Sequence, residues 1–288
     1  MGQDTFQSIW IQIAYWWGQV TESPLFTAVI GALVAALIAF AVPALIRWIR
    51  FQSVYSFWRP LIAEPISIIW SEYSNEHLTD GNEMIALVRK LGIKYFLSKG
   101  NALAYSTISR FLSRDIHFHA FKPFGDKTFP NHSEGNWILI GSPATNHYSR
   151  VVFKNLNDNF DMTFEIKYDE SNVQIIDLEN KRTYATVVDH NNCGVDYALI
   201  VRMHTTNTPS RCCLILCGAS MWGVEGAAYA VTSPKIIKKV SHILPFSKDI
   251  AFLIKVDVIN DVAENPEVVK IGRRQARYVR AMRKKRST

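Results

Sequence analysis

NWILIGSPATN, from Asn136 to Asn146, reads as a strand, a turn of small residues and the start of a helix. Trp137 to Ile140 is a continuous apolar run, as expected of a strand covered on both faces. Gly141-Ser142-Pro143 breaks the run, and Ala144-Thr145-Asn146 opens a helix that carries Tyr148, Val151, Val152 and Phe153. A strand that turns sharply into a helix N-terminus offers backbone N–H groups to a phosphate.

The same grammar recurs in RCCLILCGASMWGVEGAAYAVTSP, residues 211–234. Cys212 to Cys217 is the buried strand, Gly218-Ala219-Ser220 the turn, and Gly223 to Val231 a helix ended by Ser233-Pro234. The glycine spacing is neither the dinucleotide fingerprint nor a Walker loop, which needs Lys-Ser/Thr after its second glycine. Further strands are expected at Pro65–Tyr73, at Ile116–Phe121, in a meander through MTFEIKYDE, NVQIIDL and RTYATVV, at Asp196–His204 and at Ile250–Ile259. Helical periodicity covers Gly81–Leu91 and Ala102–Leu112.

Two strand–turn–helix units predict a Rossmann-like α/β domain with both turns at one sheet edge. The candidate ligand-binding residues are therefore Gly141, Ser142, Asn146, Gly218, Ser220 and Gly223, with a nucleotide as one ligand such turns serve. The plainer alternative is that these glycines only make tight turns.

Ahead of this domain, LFTAVIGALVAALIAFAVPALI (Leu25 to Ile46) runs for 22 residues without a charge. A bilayer core about 30 Å thick needs roughly 20 apolar residues in a helix. Only Asp4 and Glu22 precede the run, while Arg47, Arg50 and Arg59 follow it, so the positive-inside rule puts the C-terminal side in the cytoplasm. Residues 5–21 read as either an interfacial helix or a first crossing. Gly31, Ala35 and Ala39 form a small-xxx-small row, beside a second row at Ala28, Ala32 and Ala36, that lets membrane helices associate. The expected division is an anchor (1–50, with its transmembrane helix at 25–46), a juxtamembrane linker (51–64), the α/β domain (65–271) and a basic tail (272–288).

Net charge is +7, and the tail accounts for it: Arg273, Arg274, Arg277, Arg280, Arg283, Lys284, Lys285 and Arg286 occur there without an acid. Those arginines suit a nucleic-acid backbone or anionic lipid, or remain solvated. The four cysteines, Cys193, Cys212, Cys213 and Cys217, have no zinc-site spacing and read as reduced thiols. No metal and no resident cofactor are expected. No coherent catalytic set emerges; the nearest candidates are Glu225, after the second turn, and Ser220, which lacks the G-x-S-x-G context of a nucleophile elbow. Glu225 equally suits a first-turn acid facing the helix dipole.

The anchor at Leu25–Ile46, NWILIGSPATN, and DYALIVRMHTT with RCCLILCGASMWGVEGAA together resemble the membrane-anchored effectors of bacterial anti-phage defence. These are the transmembrane effectors of retrons and of cyclic-nucleotide systems, whose sensor domains are distant relatives of the CARF, SLOG and TIR folds. The resemblance implies an abortive-infection toxin of the inner membrane, oligomeric, with its C-terminal domain cytoplasmic. In the retron type it implies a protein held inactive by a reverse transcriptase and its RNA–DNA hybrid, then released to permeabilise the membrane. A membrane-tethered nucleotide-processing enzyme, of NAD glycohydrolase or deoxyribosyltransferase type, is the alternative.

Overall fold

The structure, a computed structural model, describes residues 12, 15, 18, 24–74, 95–130, 134–161, 163–169, 172–189, 194–204, 211–243, 249–273 and 275–276. The chain divides into two compact units, Met1–Gln52 and Ser53–Thr288.

In the first unit, α1 (Pro24–Trp58) begins a single helix of 35 residues with Pro43 inside it. Alanine and leucine favour the helix, and no acidic residue opens its first turn. Every side chain from Ala28 to Pro43 is exposed, Gly31, Ala35 and Ala39 among them, and Phe40 is 81% exposed. Among the described residues no helix is long and apolar enough to cross a membrane. The crossing expected at 25–46 therefore rests on the sequence. Residues 5–21 lie outside the described residues, apart from Gln12, Tyr15 and Gly18, which are helical.

The second unit opens with the end of α1, where Val54, Phe57 and Trp58 are fully buried, as is Leu61 just beyond. The linker expected at 51–64 thus contributes these four side chains to the core, while Gln52, Tyr55, Ser56, Arg59, Ala63 and Glu64 remain exposed. Trp58 Nε1 donates to the Val231 carbonyl at 2.8 Å, and its ring packs on Phe111.

The chain then runs through β1 (Ile66–Trp70), the short pair β2 (Tyr73–Ser74) and β3 (Tyr95–Phe96), α2 (Lys99–Arg110), β4 (Phe121–Gly125) and β5 (Asn136–Ile140). Next come α3 (His147–Asn159), β6 (Phe160–Asp161) and a meander of β7 (Phe164–Tyr168), β8 (Val173–Asp177) and β9 (Arg182–Tyr184). β10 (Val187–Val188), β11 (Gly194–His204) and β12 (Cys212–Gly218) lead into α4 (Met221–Thr232) and α5 (Pro234–Ile243). β13 (Ile250–Ile259), β14 (Val262–Arg273) and β15 (Gln275–Ala276) follow.

The main sheet has the order β14-β13-β11-β12-β5-β1-β4, with β10 beside β11. β4, β1, β5 and β12 are parallel, whereas β11, β13 and β14 pair antiparallel. The fold is therefore a mixed α/β sheet, half parallel, rather than a purely parallel one. All seven residues of β12 are buried because both faces are covered. On one face Leu139, Leu199, Val201 and Cys213 pack with α3 and the meander. The alternate residues face the helices: Phe252 meets Phe57, and a Cβ at Gly226 of α4 would reach Val256.

Several expected elements differ. Residues 116–120 form no strand, since His117 takes a positive φ of 53° and the strand begins at Phe121. α4 ends at Thr232 with Ser233 extended, as expected of Ser233-Pro234, but a further helix not expected, α5, starts at Pro234 itself, because proline is tolerated in a helix's first turn. The tail expected from residue 272 starts later, since β14 runs to Arg273 and β15 pairs with β6. The expected helix at Gly81–Leu91 lies outside the described residues. So do Arg274, Arg277, Arg280 and Arg283, and the side chain of Arg273.

Candidate functional site

The two small-residue turns meet, as their shared grammar predicts. β5 and β12 are parallel neighbours, with Ile140 opposite Leu216, so their carboxyl ends lie at the same edge. Gly141, Ser142, Ala144 and Thr145 beyond β5, and Gly218, Ala219, Ser220 and Met221 beyond β12, line one cleft of about 180 Å³. Ser98 and Asn101 at the start of α2, Asn172 and Val173 of the meander and Val224 of α4 complete it, and among the described residues no charged side chain lines it.

Each helix start at the cleft has a distinct cap. Ser98 Oγ accepts the Asn101 N–H at 3.2 Å and caps α2. Asn146 Oδ1 accepts the N–H groups of Tyr148 and Ser149 at 3.0 and 3.1 Å, while Asp126 takes the N–H of His147. Asn146 Nδ2 donates to the Ile69 and Ile140 carbonyls. Asn146 is thus wholly buried in capping α3 and does not line the cleft, contrary to its expected place there.

The turn after β5 requires glycine. Gly141 has φ of +116°, and a Cβ there would fall 2.2 Å from Ser71 Oγ. Ser71 Oγ and Thr145 Oγ1 are 3.0 Å apart, and Arg150 donates to the Pro143 and Ala144 carbonyls from outside. Together these bonds hold the turn rigid.

At α4 the cap comes from a residue the sequence reading did not single out. The Ser220 side chain makes no capping bond to its own helix; its Oγ donates to Asp196 Oδ2 at 2.6 Å, and that carboxylate also accepts the Gly223 N–H. Asp196 is fully buried on β11, and its Oδ1 accepts from Thr186 Oγ1 and the Tyr197 N–H at 2.7 Å each. Burial raises its carboxyl above the usual range, and the four donors oppose that rise. A lone aspartate opening an apolar strand was the only available signal for it. Gly223 also stands off the cleft, where a Cβ would meet the Tyr197 carbonyl at 2.3 Å.

Four of the six candidate ligand residues therefore share the cleft: Gly141, Ser142, Gly218 and Ser220. Of the two catalytic candidates, Ser220 lines it and Glu225 does not. Glu225 is 2% exposed, accepts a bond from Tyr229 at 3.2 Å, and is raised by burial against that bond and one from the Ala263 N–H.

The cleft is built to donate hydrogen bonds. Ser142 is 5% exposed and its hydroxyl has no partner among the described residues. The Ser142 and Ala144 N–H groups likewise take no acceptor there, and those of Met221 and Trp222 precede any helical one. Neutral dipoles of this kind suit an anion without a lysine or arginine. Among the described residues no metal-binding cluster of His, Cys, Asp or Glu occurs. Compared with family models, curated proteins and solved structures, the chain matches none.

Proposed function

We propose that this protein is a membrane-anchored, ligand-controlled effector: its α/β domain binds a small phosphate-bearing ligand and its anchor acts on the bilayer. The observation that carries the binding part is the cleft where Ser98, Ser142, Thr145 and Ser220 converge beside three helix starts, with no charged side chain among the described residues. For the anchor, the support is an uncharged run at Leu25–Ile46 inside one continuous helix, exposed throughout its described side chains. Water does not tolerate so long an apolar surface without a cover, and lipid is the cover its length fits.

The cleft lies at the far edge of the sheet from the juxtamembrane segment. Asn136, at the start of β5, donates to the Pro60 and Leu61 carbonyls, while the cleft begins at Gly141. Five strand residues, about 16 Å, separate them. With Arg47, Arg50 and Arg59 inside the cell, the cleft faces cytoplasmic ligands.

The biological reading is abortive infection at a bacterial inner membrane. The anchor self-associates through Gly31, Ala35 and Ala39 and permeabilises lipid, restrained in the retron-like version by a reverse transcriptase and its RNA–DNA hybrid. Arginines of the tail from Arg273 onward then supply contacts to nucleic acid or anionic lipid. Inducing the chain without partners should depolarise cells, and leucine at Gly31, Ala35 and Ala39 should abolish that. Recovery of the chain in the soluble fraction, or an unchanged membrane potential at full expression, overturns it.

A tethered nucleotide-processing enzyme is the second reading, favoured by the Ser220–Asp196 contact at the cleft wall. It alone expects cellular nucleotide pools to collapse on induction and to survive with Ser220→Ala.

A further inference from the structure

We infer that Asp196 fixes Ser220 as a hydrogen-bond acceptor toward the cleft, so that the ligand is a phosphate monoester carrying a hydroxyl donor. This is the chemistry of a sugar phosphate or of the ribose phosphate of a nucleotide. The inference rests on the phosphate-binding reading of the cleft and names its ligand class.

A serine hydroxyl has one proton and two lone pairs. In Ser220 the proton is committed to Asp196 Oδ2 at 2.6 Å. Asp196 cannot turn away to release it. Its Oδ1 is held by Thr186 and the Tyr197 N–H, its Oδ2 by the Gly223 N–H as well as Ser220, and it is fully buried. All four partners donate, so the carboxylate orders every neighbouring proton toward itself. Ser220, which lines the cleft, is left with lone pairs to offer it.

The turn after β5 has the opposite character. The unpartnered hydroxyl of Ser142, buried to 5% exposure, and the N–H groups of Ser142 and Ala144 can donate to phosphate oxygens. Ser142 follows β5 and Ser220 follows β12, on strands spaced about 4.8 Å apart. A bare phosphate ester satisfies the donors and leaves the Ser220 acceptor unmet. A ligand whose carbon skeleton bears hydroxyls satisfies both.

The test uses the full chain in lipid nanodiscs at pH 8, titrated with ribose 5-phosphate, AMP and n-pentyl phosphate, the last having the phosphate but no hydroxyl. Ribose 5-phosphate should bind about fivefold or more tightly than n-pentyl phosphate, as one hydrogen bond gives. In Ser220→Ala and Asp196→Asn that ratio should fall to about one, and Ser220→Thr, which keeps a hydroxyl, should restore it. A merely structural role for Asp196 would weaken both ligands and keep the ratio. AMP binding above ribose 5-phosphate identifies a nucleotide as the source, and parity a sugar phosphate; either supports the inference. Equal binding of ribose 5-phosphate and n-pentyl phosphate by the unmodified protein overturns the inference while leaving the phosphate cleft standing. Absence of binding by every probe overturns both.

Discussion

Lys270 of β14 places its ammonium 2.7 Å from both carboxylate oxygens of Asp177, the last residue of β8, which is fully buried. The pair ties the meander to the edge of the main sheet, and Glu179 joins it at 2.7 Å. Burial pushes the Asp177 carboxyl up, but the Lys270 ion pair and the N–H groups of Asn180 and Glu179 outweigh it, and the net shift is downward. For Lys270, burial pulls downward while Asp177 and Glu179 push upward, and the net shift is up.

Lys270→Ala leaves a buried carboxylate without its cation and should destabilise the domain by about 3 kcal/mol. A lowered carboxyl stabilises the fold above its unfolded pKa of about 3.9 and loses that effect as pH falls through its folded value. A raised lysine stabilises below about 10.4 and loses its effect only as pH climbs through its folded value. Thermal melting followed by circular dichroism should therefore fall below about pH 4, and less steeply in the Asp177→Asn, Lys270→Met double variant.

Asn136 joins three segments from a fully buried position. Its amide donates to Pro60 and Leu61, and its Oδ1 accepts the Cys212 N–H at 2.6 Å. Asn136→Ala orphans three backbone groups and should cost about 3 kcal/mol, seen as a melting temperature lower by about 10 °C. Asn136→Asp, which can no longer donate, should be at least as damaging.

Trp58→Phe keeps most of the buried ring and removes the bond to Val231. Leaving that carbonyl unmet should cost about 1–2 kcal/mol, whereas Trp58→Ala should cost about 4 kcal/mol through its cavity. Chemical unfolding midpoints of the two variants check the ordering.

Cys212, Cys213 and Cys217 are buried free thiols. Burial pushes Cys212 up to about 12 and raises the other two as well. A thiolate is the reactive form, so a Cys193→Ser variant should resist maleimide at pH 8 when folded and take three labels when denatured. Labelling of the folded variant within minutes would contradict the buried placement of β12.

The cleft shows which parts of this architecture can be read locally. WILI and CCLILC announce strands because each is a short apolar run ended by glycine and serine, and that information is contained within a dozen residues. Gly141, Ser142, Gly218 and Ser220 were legible for the same reason. The neutral stretch from Leu25 to Ile46 is legible too, since partition into lipid is a property of composition and length.

The antiparallel half of the sheet was not legible in this way, because pairing register depends on partners distant in the chain. β14 illustrates it: exposed positions alternate irregularly along it, Pro266 sits within it, and bulges at Leu253/Ile254 and Lys255/Asp257 break the two-residue period. Asp196 was hidden for a related reason. Twenty-seven residues separate it from Gly223, and only the folding of β11 beside β12 and α4 brings its carboxylate to that helix and to Ser220. Local apolar runs and small-residue turns were enough to name the cleft's walls; the long-range packing of a buried charge decided which way its hydroxyl points.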